Sequence, residues 1–284
     1  MSTQRTHHVT TTDGVTIGGT VHGRGRPLVF LHGAIGDGDL DWGRLVGHLT
    51  GRFTCHLPSM RGRGLSGDHP DLSPGRQVDD VLAYLDSLGE PAGLVGWSAG
   101  ANLALGAAAR SGTPRSDTAA RSGAVDAVAL LEPPMRGLMD ERELAVIVGA
   151  IARMGELAAG GDVTAAIRAF AGGPFGDEEL AVAEEAGYFE AAGRYVPHLL
   201  SLLGQVESSG GPTVEDPAVL GAVSAPVLVL YGSGTMAFYR AGARHVAGHV
   251  RDGRMREIPG AGHAAPLTHP EALAEAITRF FGAG

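Results

Sequence analysis

The chain has 284 residues, 44% of them hydrophobic and 19% charged, which is enough for one large globular domain or one domain with a modest insertion, and is not the composition of a disordered chain or a coiled coil. All 22 basic residues are arginine, so a Walker-type phosphate loop, a Schiff-base site and a lysine general base each lack their residue. A formal net charge of −9 sets the chain against nucleic acid and anionic membranes as partners. The single cysteine, Cys55, excludes an internal disulfide and a multi-cysteine metal site. No apolar run is long enough to cross a membrane, and the polar residues 1–12 lack the apolar core of a secretory signal, so a cytoplasmic protein is expected.

In chain order, the first 32 residues read as β structure. The turn pair Asp13-Gly14 precedes a strand over residues 15–21, residues 23–27 read as a loop, and residues 28–31 form a short apolar run typical of a strand buried on both faces. Similar runs follow at residues 53–57, Ala92–Trp97, Val125–Leu131, residues 226–231 and, more mixed, residues 254–258. Helical patterns fall between them, at residues 76–88, 99–110 and Pro270–Phe281. Strands alternating with helices predict an α/β fold with a doubly wound, mostly parallel sheet. Residues 133–218 break the alternation with helical patterns alone, over 141–154, 163–170, 178–192 and 195–206, separated by Gly-Pro pairs. The expected organisation is a core of residues 1–132 and 219–284 with a helical cap of residues 133–218 inserted between two core strands.

One motif carries chemistry. Gly96-Trp97-Ser98-Ala99-Gly100 fits the pattern G-x-S-x-G, which by itself is weak in a chain with 45 glycines. Its setting is specific: it follows a buried strand and opens a helix-forming run. A sharp turn there holds the serine in strained geometry and lifts its oxygen off the strand's C-terminal edge, and side chains two residues either side would collide. The new helix aims free N–H groups at the same spot. Together with Leu31-His32-Gly33 after an early strand and Pro259-Gly-Ala-Gly-His263 near the C-terminus, in this order and spacing, the chain resembles the α/β-hydrolase superfamily over almost everything outside the cap.

That resemblance implies roles. Ser98 is the nucleophile. His263 is the base, in a loop of small residues after the last core strand. His32 belongs to the His-Gly turn and His269 to a helix start. The N–H groups of Ala99 and Ala34 would hold the negative oxygen of a tetrahedral intermediate. The acid departs from the family's usual pattern: three residues past Gly232, where an aspartate is commonest, stands Thr235, and residues 236–243 contain no acid. Glu132, at the end of the strand Val125–Leu131, lies on the ligand-binding edge of such a sheet and keeps the order Ser, acid, His, so it is the expected acid. The alternatives are that Glu132-Pro133-Pro134 only begins the cap, or that a Ser-His pair works without a carboxylate.

Other patterns lead elsewhere. Gly62-Arg-Gly-Leu-Ser-Gly67 matches the dinucleotide fingerprint, but no helix opens after it. Asp37-Gly-Asp-Leu-Asp41 hints at calcium and reads instead as a solvated loop, because Trp42 and His48 occupy the places of the required glycine and glutamate. No cofactor and no metal are expected. Trp97 and Trp42, with Met135 and Met139 from the cap, are the expected substrate-binding residues of a small to medium apolar substrate. The expected activity is a cofactor-free serine hydrolase acting on an ester, lactone or thioester. Carbon–carbon hydrolysis, lyase or cyclase chemistry on the same site is the alternative, and a non-catalytic ligand binder a further one. The partner is a small-molecule substrate, without nucleic acid or membrane, and the chain a monomer or homodimer.

Overall fold

A computed structural model describes residues 5–111 and 125–282. Residues 1–4 of the polar N-terminal stretch lie outside the described residues. Eight strands form one sheet in the order β1-β2-β4-β3-β5-β6-β7-β8. They are β1 (Arg5–Thr10), β2 (Thr16–Gly23), β3 (Arg26–Leu31), β4 (Phe53–Pro58), β5 (Ala92–Trp97), β6 (Val125–Leu131), β7 (Val227–Gly232) and β8 (Gly253–Ile258). Strand β2 pairs antiparallel with β1 and β4, and every pairing from β4 to β8 is parallel. The central strand β5 is buried along its whole length, which explains its unbroken apolar sequence.

Two helical layers cover the sheet. Helices α1 (Gly38–Val46) and α12 (Pro270–Phe281) pack on one face, and α2 (Pro74–Leu88), α3 (Ala99–Ser111) and α10 (Ala237–His249) on the other. Helix α2 shows the expected punctuation, with Pro74 in its first turn and Gly89 left-handed just past its end. Between β6 and β7 lies a helical insert: α4 (Glu141–Ala159), α5 (Val163–Ala171), α6 (Asp177–Glu185), α7 (Tyr188–Ala192) and α8 (Val196–Ser208), followed by the short α9 (Pro217–Gly221). The four-residue α11 (Ala265–Thr268) links the loop after β8 to α12. Among the described residues no helix is long and apolar enough to cross a membrane.

Three readings of the sequence need correction. The segment expected to be a solvated loop at residues 37–41 opens α1 instead, with Asp37 as its N-cap accepting the Leu40 N–H at 2.9 Å. Acids at a helix start satisfy free N–H groups and the positive helix end, so that composition is a start signal as much as a loop signal. The helix expected over residues 178–192 is two helices, parted at Gly187 with φ of 68°. The expected loop at residues 23–27 shrinks to two residues between β2 and β3. Helix α10 went unread although its buried residues, Phe238, Tyr239, Gly242, Ala243 and Val246, recur at helical spacing.

Candidate active site

The turn after β5 shows why it needs two glycines. A Cβ at Gly96 would sit 2.5 Å from the Gly100 carbonyl oxygen, and one at Gly100 would strike the carbonyls of Leu31 and His32. The chain therefore passes close over the end of β3 and forces Ser98 to φ of 54°. Among the described residues just two non-glycine positions have positive φ, Ser98 and Glu132, the latter at 49°. Such backbone is unfavourable by about 1–3 kcal/mol and persists where the surroundings over-determine it. Each sits one residue past a central parallel strand, β5 and β6. The Ser98 N–H bonds the Leu131 carbonyl at 2.9 Å, so the two strained residues share one strand-end framework.

The structure brings Glu132 and His263 together. His263 Nδ1 donates to Glu132 Oε2 at 2.6 Å, and the pair is enclosed, with His263 3% and Glu132 0% exposed. The carboxylate is also held by protein donors: Oε1 accepts the Gly232 N–H at 2.7 Å and Oε2 the Thr235 hydroxyl at 2.9 Å. Thr235 thus occupies the place where an aspartate was sought and donates to Glu132 from there. A buried carboxylate with three donors escapes the desolvation that an unpartnered one would suffer.

His263 is fixed elsewhere as well. Its carbonyl accepts the Trp97 indole N–H at 2.9 Å, which ties the histidine loop to the residue before Ser98. The Tyr239 ring stacks on the imidazole at 4.3 Å between centroids, and its hydroxyl lies 3.3 Å from Nε2. Trp97 and Phe175 flank it at 5.8 and 6.0 Å. With Nδ1 carrying its proton toward Glu132, Nε2 is left as the acceptor nitrogen. Ser98 is half-buried, and among the described residues its hydroxyl forms no hydrogen bond to His263. Such contacts are often long without substrate and tighten around it.

The turn after β3 lies alongside. The N–H groups of Ala34 and Ala99 donate no hydrogen bond among the described residues, and both residues are half-buried. The Ala34 N–H belongs to the same planar peptide as the Gly33 carbonyl, so whatever grips one aims the other. His32 grips it: its Nδ1–H donates to Gly33 O at 2.7 Å while its Nε2 accepts the Met60 N–H at 2.8 Å. Burial, aided by the Arg63 charge, pushes the His32 pKa down to about 4 and keeps the ring neutral, as these two bonds require.

Sequence reasoning missed three side chains here. Asp41, on α1, accepts the Gly33 N–H and the Tyr188 hydroxyl, each at 2.8 Å. Glu179, on α6, accepts the Ala264 N–H at 2.7 Å, and burial raises its pKa. Tyr239 comes from the unread α10. For Asp41 and Glu179 the available signal was an acid at a helix start, and Glu179 was hidden among neighbouring acids.

The expected pocket residues divide. Trp97 faces His263 and Phe175. Trp42 is 1% exposed and packs edge-on against Phe30 and Trp97, so it backs Trp97 and forms no open wall. Met135 is a core residue in the α2–α3–α10 layer, against Gly242 of α10, which corrects its reading as a substrate contact. Met139 is half-buried just before α4. Among the described residues no group of three or more His, Cys, Asp or Glu side chains is placed to hold a metal.

With this geometry, the chain belongs to the alpha/beta hydrolase family, whose model matches residues 28–276. It is 31% identical over 96 residues to pyrrolizixenacetamide deacetylase of Xenorhabdus hominickii, a match over 31% of this chain and 34% of that one. It is 32% identical over 118 residues to N-formylmaleamate deformylase of Pseudomonas putida, over 40% of each. The chain thus spans 34% and 40% of the length of the curated relatives it matches. Among solved structures it is similar to an alpha/beta hydrolase from Sphaerobacter thermophilus, with a TM-score of 0.72 and 26% identity over 97% of this chain and 100% of that one.

Proposed function

We propose that the chain is a cofactor-free serine hydrolase that cleaves a carboxylic acyl bond, an ester, lactone or thioester, in a small to medium apolar substrate. The observation that carries this reading is the 2.6 Å contact between His263 and Glu132 beside the strained Ser98. Ser98 attacks the carbonyl carbon. His263 Nε2 takes the serine proton and then gives it to the leaving group, while Glu132 holds the tautomer and balances the imidazolium. The Ala34 and Ala99 N–H groups receive the oxyanion, each lowering the barrier by about 3 kcal/mol. Water then clears the acyl-enzyme through the same histidine. The insert acts as a cap over this site.

Two lines of support refine the substrate. The aromatic surround of His263 favours an apolar acyl neighbourhood. The two curated relatives are named for removing an acetyl and a formyl group, which favours a small acyl group and extends the bond class toward amides. The reading as a mere ligand binder rested on Thr235 replacing an acid, and that support falls away with its bond to Glu132.

The test is covalent labelling. A fluorophosphonate probe is expected to modify the wild type at Ser98, Ser98→Ala to abolish labelling, and the wild type to turn over p-nitrophenyl acetate. Labelling that persists in the alanine variant defeats the nucleophile assignment. Labelling at Ser98 without turnover of short acyl esters moves the chemistry to carbon–carbon hydrolysis, lyase or cyclase reactions.

A further inference from the structure

The turn that carries the Ala34 N–H is not held by the core alone. Tyr188 of α7 reaches out of the insert and donates its hydroxyl to Asp41 Oδ1 at 2.8 Å. The other oxygen of the same carboxyl takes the Gly33 N–H at 2.8 Å. Seven residues further on, Tyr195 donates to Asp37 Oδ2 at 2.6 Å. Asp37 is the N-cap of α1, and its Oδ1 takes the Leu40 N–H at 2.9 Å. From the core side the buried Arg63 donates to the Gly36 carbonyl at 2.8 Å and lies 5.2 Å from the centre of the Tyr195 ring. The segment 33–37 is therefore strung between two carboxyls, and each carboxyl is gripped by a tyrosine of the insert.

This arrangement is costly if packing is its sole purpose. Asp41 is 0% and Tyr188 1% exposed, and burial pushes the Asp41 carboxyl up to about 7. A leucine facing a phenylalanine would fill the same space without that penalty, since replacing buried polar pairs by apolar ones is often neutral or stabilising. What the apolar pair could not do is hold Gly33. That residue lacks a Cβ and so has wide backbone freedom. Its two flanking peptides are each held from outside: Asp41 grips the N–H of one and His32 the carbonyl of the other. The second of these peptides carries the Ala34 N–H. Strain or slack at Asp41 is thus passed through Gly33 to the direction of that N–H.

We propose that Tyr188 and Asp41 are positioning residues for the Ala34 N–H, so that the seating of the insert on the core sets oxyanion stabilisation. This rests on the reading of Ala34 as an oxyanion donor. Tyr188 touches no reacting atom; it acts through Asp41, and Asp41 through the Gly33 peptide. The consequence is that the Ala34 N–H is fully aimed only while the insert is seated on the core through Tyr188.

The test uses the full chain with p-nitrophenyl acetate and the fluorophosphonate probe. Tyr188→Phe keeps the ring and removes the hydroxyl. It is expected to lower kcat and the labelling rate together by about ten- to a hundredfold, with KM within twofold, because outright loss of an oxyanion donor costs about 10²–10³ in kcat and a misaimed one costs part of that. Asp41→Asn is the second variant, should the first fold poorly: its amide keeps one acceptor and loses the other, so the same split is expected. A lower melting temperature with unchanged kcat and labelling rate in either folded variant would show a structural role alone and overturn the proposal. A wild type that does not label at Ser98 overturns the underlying reading instead, which separates the two failures.

Discussion

The two halves of the site solve one electrostatic problem in opposite ways. In the half proposed to handle the proton, Glu132 and His263 are brought to 2.6 Å, Glu132 from the end of β6 and His263 from the loop after β8. The carboxylate is surrounded by donors from the neighbouring strand end, Gly232 and Thr235, so its charge is answered locally. In the half proposed to hold the oxyanion, Asp37 is answered across the seam between core and insert by Tyr195 and Arg194, and Asp41 by Tyr188. The donors to Glu132 all come from the core, whereas the donors to Asp37 and Asp41 include tyrosines of the insert. For Asp37, burial works to raise the pKa, but the hydrogen bonds from Tyr195 and the Leu40 N–H outweigh it and hold the carboxyl below its ordinary value. For Asp41 burial wins. Asp37 has the fuller set of partners, Arg194 at 3.1 Å among them, whereas Asp41 is more deeply buried and has two donors.

The sharpest way to break this contrast is Glu132→Gln. The glutamine keeps the shape but must point an NH₂ at one of three donors that the carboxylate now accepts. His263 loses the partner that fixes its tautomer, and kcat on p-nitrophenyl acetate is expected to fall by about a thousandfold or more, with KM little changed. Retention of activity within tenfold would sink Glu132 as the acid. The Tyr188→Phe loss of about ten- to a hundredfold comes next, so the core-built half is expected to be the more sensitive of the two.

The contrast also explains what could be read from the sequence. Strands β5 and β6 have the limits expected from their apolar runs, because strands buried on both faces leave little room for polar residues. The elbow was legible because its glycines answer a local collision. The fold class follows from the alternation of strands and helices, and its end-to-end order from the parallel pairings. Tyr239, Glu179, Asp41 and Tyr188 were not legible, since each gains its meaning from a partner that the fold supplies from a distant element. Met135 shows the reverse error. Its place in the insert suggested the pocket, but the chain turns it into the layer under α10.

Thr235 offers a finer probe of the proton-handling half. Thr235→Val removes one of three donors to Glu132 and leaves the volume nearly unchanged. A hydrogen bond to a charged group contributes about 1.5–3 kcal/mol, so kcat is expected to drop by roughly tenfold, and Thr235→Ser to restore most of it. If valine and serine variants behave alike, the hydroxyl does not support the acid.

The smallest expected effect concerns stability, and it separates the buried groups by sign. Burial lowers His32 and His56 to about 4, so the folded state refuses protons that the unfolded chain accepts below about 6.5. Their stability contribution is present above that value and is lost as pH falls toward 4. Asp41 runs the other way: its folded pKa of about 7 exceeds the unfolded value of 3.8, so its contribution is present at low pH and is lost as pH rises through that window. Replacing one group at a time isolates each sign. Urea unfolding between pH 4 and 7 is expected to show Asp41→Asn with a steeper gain of stability with pH than the wild type, by up to about one proton in the linkage slope. His56→Gln, whose site lies apart from Ser98 against Tyr84 and His7, is expected to flatten the same curve. Parallel curves for Asp41→Asn and the wild type would mean that Asp41 is ionised in the folded protein near neutrality, and the oxyanion half would then carry its charge openly, as the Glu132 half does.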